Sequence, residues 1–318
     1  MSKKLPAIII ICTMVFLGFW VMNSNDARDF LQSFGYVPSD EVKGIKEDLE
    51  LTSKGEAIFN ASRPILDSRE DFNHHCSSYD EQISVLGCYT GGGIYVYNIK
   101  TPEIDGVRES TMAHELLHAV WSRLNEDERQ ILSTALWQVY NEHHELAEDL
   151  DIYDDKEKLD ELHSRVGTQI ATLPVELEMH YAKYFNNQDD IVAYYLKYDA
   201  PFREINGQLD RLSREMDELS IAIEAKTAEY KTRSEALAVK IQEFNACANQ
   251  MGCFRDEASF NIQHNTLVVE QNEVSSLYTE INQLTDLYNA KVTEYNNNIL
   301  RTKDLQNSIN SNSAPPTV

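Results

Sequence analysis

The residues with the clearest chemistry lie in the stretch STMAHELLHAVW, Ser110 to Trp121. Histidines four apart share one face of a helix, so His114 and His118 can reach a single metal ion. Glu115, beside the first of them, is placed to act as general base toward a water. A zinc ion held this way lowers the pKa of water and polarises a carbonyl, so the expected reaction is hydrolysis of a peptide bond. The neighbours sharpen the reading. Met112, Ala113, Leu116, Leu117, Ala119 and Val120 make the helix strongly apolar. Two histidines and a glutamate there are expected to be buried, and buried polar groups are costly unless something compensates them.

A third ligand is needed. A third histidine two turns on requires Gly at 121 and His at 124; the chain has Trp121 and Leu124, which excludes that class. A glutamate from a later helix is then expected, and Glu161, Glu176 and Glu178 are the candidates. Tyr181, Tyr184 and His180 could donate a hydrogen bond to a developing oxyanion. Upstream, Ile94, Tyr95, Val96 and Tyr97 read as a strand whose edge could take an extended peptide by strand addition.

The elements that must position these groups follow from pattern. From Ile83 to Ile99, β-forming residues are interrupted by Gly91, Gly92 and Gly93, which predicts two strands around a glycine turn. Residues 23 to about 70 and 110 to about 198 read as helical, with Pro174 marking a break in the second run. From about Arg203 the texture changes. Leu209, Met216, Ile223, Tyr230, Leu237 and Phe244 recur every seven residues, and so do Phe260, Leu267, Val274, Ile281, Tyr288 and Tyr295. Heptads of this kind predict coiled coil. Two runs joined by a short link predict an antiparallel hairpin with arms on the order of 60 Å. Lys226 and Arg233 fall at core-like positions, which predicts local splaying. The expected fold is mainly α with a small β-sheet: a zincin-like domain over 23–200 and a coiled-coil hairpin over 201–310. A tail over 311–318, with Pro315 and Pro316, is predicted to be disordered.

The N-terminus bears on location. Lys3 and Lys4 precede an apolar run from Leu5 to Met22, about the length that crosses a bilayer core as a helix. No small-residue cleavage site follows it, and no lipobox surrounds Cys12. The expectation is an uncleaved single-pass anchor over 5–22, residues 1–4 in the cytoplasm and the rest of the chain outside. The other four of the five cysteines form two close pairs, Cys76 with Cys88 and Cys247 with Cys253. In an exported chain these read as disulfides.

Composition removes one class of partner. The net charge is -24, from 52 acidic and 28 basic residues. Phosphate binding needs clustered Lys and Arg, so nucleic acid is not expected. No EF-hand-like spacing marks a calcium loop.

Two resemblances add to this. The chain resembles zinc peptidases of the glutamate-ligand type. In the lethal-factor-type members the ligand glutamate opens a Glu-aromatic-aromatic-Ala segment a few tens of residues after the HExxH helix. Glu161-Leu162-His163-Ser164 is similar to that segment. The second glutamate of the pattern, four residues on, is Arg165 here. The order of features also resembles a group of membrane-anchored bacterial proteins: anchor, Cys-x11-Cys-Tyr strand region, HELLH, ELHS, then coiled coil with a Cys pair. That resemblance implies no particular substrate. Two functions are thus in view. One is a membrane-anchored extracytoplasmic zinc endopeptidase with a peptide or protein substrate. The other is a surface interaction protein working through its hairpin, with a protein partner or a second copy of itself and an inactive or structural zinc site.

Overall fold

The structure, a computed structural model, describes residues 25–76, 86–143, 146, 150, 153 and 155–311. It is mainly α, with one small sheet. In chain order it runs α1 (Asn25–Ser33), α2 (Asp40–Asp48), α3 (Ser53–Ala61), β1 (Ile65–Asp67), α4 (Arg69–His75), β2 (Gly87–Thr90) and β3 (Gly93–Tyr97). It continues with α5 (Val107–Trp121), α6 (Glu126–Glu142), α7 (Asp155–Gln169), α8 (Val175–Tyr181), α9 (Gln188–Ala248) and α10 (Glu257–Ile309). The described residues fall into two compact units, one reaching to Pro201 and including the stretch from Asp304, the other spanning Phe202–Lys303.

Local signals explain the first unit's helices. Ser39 and Thr52 cap α2 and α3 through their side-chain oxygens, and Asn125 with Glu128 closes a reciprocal capping box at α6. Helix α5 differs, because Met112, Ala113, Leu116, Leu117, Ala119, Val120 and Trp121 are all buried and only Arg108, His114 and His118 keep partial exposure. A helix covered on nearly every side belongs in a core, and α5 is the axis on which the first unit is built. It packs on α7 and on strands β2 and β3. Its C-terminal end is latched to α1. The Arg123 guanidinium donates to the Asp29 carboxylate at 2.8–3.1 Å and to the Ala119 carbonyl at 2.7 Å.

The sheet has the order β1-β3-β2. β3 pairs in parallel with β1 (Ile65 opposite Tyr95) and antiparallel with β2 (Cys88 opposite Tyr95). This corrects the role expected of Ile94, Tyr95, Val96 and Tyr97. Their strand is the central one, and its backbone groups are taken up on both sides, so no edge is left there for a substrate. The partner that closes it, β1, comes from a stretch that reads as helical. Of the strand residues expected upstream, Ile83 and Val85 lie outside the described residues.

In the second unit, α9 and α10 lie in contact as an antiparallel pair. Lys226 pairs with Glu280 at 2.7 Å, Arg233 with Glu273, and Lys240 with Glu270 at 2.6 Å. As one position climbs, its partner descends. Lys226 and Arg233 thus bridge the two helices at the positions where the sequence predicts splaying. Leu212, Leu237 and Leu277 are buried along the seam. Both expected disulfides are present, Cys76–Cys88 and Cys247–Cys253.

The membrane placement is corrected. Among the described residues no helix is long and apolar enough to cross a membrane. The segment 5–22, where the sequence places the anchor, lies outside the described residues. The long helices that are described cannot substitute, since charged residues punctuate α9 and α10 throughout. Residues 312–318, most of the expected disordered tail, are likewise outside the described residues.

Candidate metal centre

Two helices build the site. α5 carries His114 and His118 on successive turns, and α7 lies against it. Gly167 permits that approach: a Cβ there would fall 2.5 Å from Leu117 Cδ1 and 2.6 Å from Tyr181 Cε1. With α7 held this close, Glu161 meets the histidines. His114 Nε2 and His118 Nε2 are 3.1 Å apart. Glu161 Oε2 lies 3.6 Å from the first and 3.3 Å from the second. Among the described residues these three form the group able to hold a metal ion, each offering one ligand atom.

Each arm of the triangle is itself held. His118 Nδ1 is 2.7 Å from Asp160 Oδ1. An Nδ1–H donated to that carboxylate leaves the Nε2 lone pair facing the triangle, the tautomer a metal requires. On the other side Arg165 Nε donates to Glu161 Oε1 at 2.7 Å. That contact occupies one carboxylate oxygen and leaves the other for the histidines.

The carboxylates and imidazoles shift one another's titration. Burial by itself would raise the Glu161 carboxyl, but His114 and His118 hold it well below the usual carboxylate range. Burial would lower His118, but Asp160, Glu161 and Glu115 outweigh it and hold the imidazole well above its ordinary value. Two imidazole nitrogens and one carboxylate oxygen meet here within reach of a single ion, a group that could hold a metal.

Glu115 sits on α5 between the two histidines and is only 5% exposed. Desolvation pushes its carboxyl up, against the pull of His118 and His114, with Glu161 and Asp160 adding to the rise. Strand β2 lies over it. A Cβ at Gly87 would come within 2.7 Å of Glu115 Cγ and Oε1 and of Thr111 Cγ2, so only glycine leaves that carboxylate its position.

The remaining candidates lie elsewhere. Glu176 and Glu178 are exposed on α8 and do not join the triangle. Tyr181, Tyr184 and His180 are buried in the core behind it. The Tyr181 hydroxyl donates to the His163 carbonyl at 2.8 Å, and His180 Nε2 lies 2.8 Å from His163 Nε2. These groups brace α7 against α8; the structure does not bring them to the metal triangle. Burial pushes Tyr181 far above its ordinary value and Tyr184 to about 12. Sequence reasoning misses Asp160 and Gly87. The signal for Asp160 was slight: a second acid directly before Glu161 on an acidic helix.

No family model matches the chain, and neither a curated protein nor a solved structure matches it.

Proposed function

We propose that the chain is a zinc-dependent endopeptidase of zincin-like design, with His114, His118 and Glu161 as metal ligands and Glu115 as general base. The observation that carries this reading is the triangle itself. A tetrahedral zinc with bonds of about 2.0–2.1 Å sets its ligand atoms about 3.3–3.4 Å apart, and the three separations of 3.1, 3.3 and 3.6 Å centre on that value. Two imidazoles and one carboxylate are also the donor set of catalytic zinc sites that keep a position open. Bound there, zinc would supply a Lewis acid that lowers the pKa of a water and polarises a carbonyl.

The chain's own residues do the rest. Glu115, whose carboxyl is raised by burial, takes a proton from the attacking water and passes it to the leaving amine. Asp160 holds the His118 tautomer. The sheet edge that supports an extended substrate is β2 rather than β3, because β2 is an outer strand among the described residues and its Gly87 backs Glu115. Strand addition there would lay a peptide along the site.

The test is Glu115→Gln. The variant should keep zinc and lose hydrolysis of an unfolded protein substrate by about 10²–10⁴-fold. Hydrolysis at the wild-type rate with zinc bound would remove Glu115 from the reaction.

The interaction-protein reading has one observation in its favour: Phe202–Lys303 forms a compact unit of its own. A purely structural zinc site, however, has no use for a buried glutamate beside its first ligand. Glu115 therefore weighs toward the enzyme, with the helical pair as an accessory.

A further inference from the structure

The pair Arg165–Glu161 has the spacing of an ordinary helix-surface ion pair, i to i+4. Such pairs on an open helix contribute little, and most are dispensable. This one is not on an open surface. The side chains of Arg165 and Glu161 are 17% and 13% exposed. A directed contact shielded from water holds its geometry more firmly than a solvated one, and here its effect falls on the carboxylate. Arg165 Nε engages Oε1 alone, while Oε2 faces both histidine nitrogens.

We infer that Arg165 is a positioning residue that fixes Glu161 as a single-oxygen ligand. The inference rests on the metal reading of the same site. A carboxylate with both oxygens free can close on an ion with both. That adds a ligand and fills the position a water or a scissile carbonyl needs. With Oε1 committed to a directed N–H, only Oε2 is free to coordinate, and the site keeps its open position. The contact depends on the planar guanidinium aiming an N–H at one oxygen. A lysine ammonium keeps the charge but is a rotatable point donor. Charge and direction can therefore be separated by substitution.

The experiment uses the full chain with Arg165→Lys and Arg165→Gln beside the wild type. Each is loaded with zinc for affinity and with cobalt(II) for its visible spectrum, whose d–d bands are intense in four-coordinate sites and weaken as coordination number rises. Far-ultraviolet circular dichroism of the metal-free proteins verifies the fold. The expected result is weakening of zinc binding by about tenfold or more in both variants, with loss of cobalt band intensity in both. Wild-type affinity and spectrum in both variants would overturn the inference. Wild-type behaviour in Arg165→Lys alone would overturn it too, by showing that only the charge matters. A wild-type chain that binds neither metal would instead sink the metal reading on which the inference rests.

Discussion

The two compact units handle polar groups in opposite ways. Around α5, several charged and polar side chains are drawn out of water in specific pairs: Glu161 with Arg165, His118 with Asp160, Arg123 with Asp29, His163 with His180. Along α9 and α10, ion pairs such as Lys240–Glu270 stay partly in water, and leucines supply the buried seam. Breaking a buried pair strands a charge that water cannot reach, whereas breaking an exposed one hands both partners back to solvent. Substitution of a paired polar group is therefore expected to cost more in the first unit than in the second.

The largest effect that separates the units should come from pH. Burial, reinforced by the Lys183 and Lys54 ammoniums, pulls the His180 imidazole down to about 3. In the unfolded chain it titrates near 6.5, so between these values the unfolded state binds the proton and the folded state does not. Stability contributed by neutral His180 is full above about pH 6.5 and is lost as pH falls toward 3, by up to about 5 kcal/mol. Denaturant unfolding of wild type and His180→Gln across that range should show a flatter dependence in the variant. Equal slopes would place the acid sensitivity elsewhere.

Next in size is the latch between α1 and α5. Asp29→Ala leaves the Arg123 guanidinium buried without its carboxylate and should cost about 3–5 kcal/mol, read as a fall in the denaturation midpoint. A loss under 1 kcal/mol would mean that water reaches Arg123 as readily as it reaches the lysines of the second unit. The smallest effect is expected in that second unit. Lys240→Ala, which removes an exposed cross-helix pair, should leave the unfolding midpoint where it is. A clear drop would break the contrast from the other side.

How much of this could be read from sequence depended on whether the pattern was local. HExxH was legible because a helix places residues four apart on one face, and the heptads of α9 and α10 were legible for the same kind of reason. Glu161 was legible only as one of three carboxylates, since the choice among them depends on how α7 lies on α5. That approach is set by Gly167, whose missing side chain no local pattern marks as meaningful. Little in the local sequence marks Asp160 or Arg165 as partners of the site, because the packing of α7 on α5 is a tertiary fact. β3 read as an edge because its parallel partner β1 is three residues long and embedded in helical sequence. The expected oxyanion donors have the right residue types, but the Tyr181 hydroxyl and the His180 imidazole bond to His163 and Tyr184 is buried in the core.

The most direct test of the central claim is the zinc content of the purified chain by elemental analysis, beside His118→Ala and Glu161→Ala. The triangle of His114, His118 and Glu161 predicts about one zinc per chain in the wild type, the stoichiometry of a single three-ligand site, and loss of it in both variants. No zinc in the wild type, after purification without chelator and with zinc supplied, would contradict the account. So would a Glu161→Ala variant that holds the ion as firmly as the wild type.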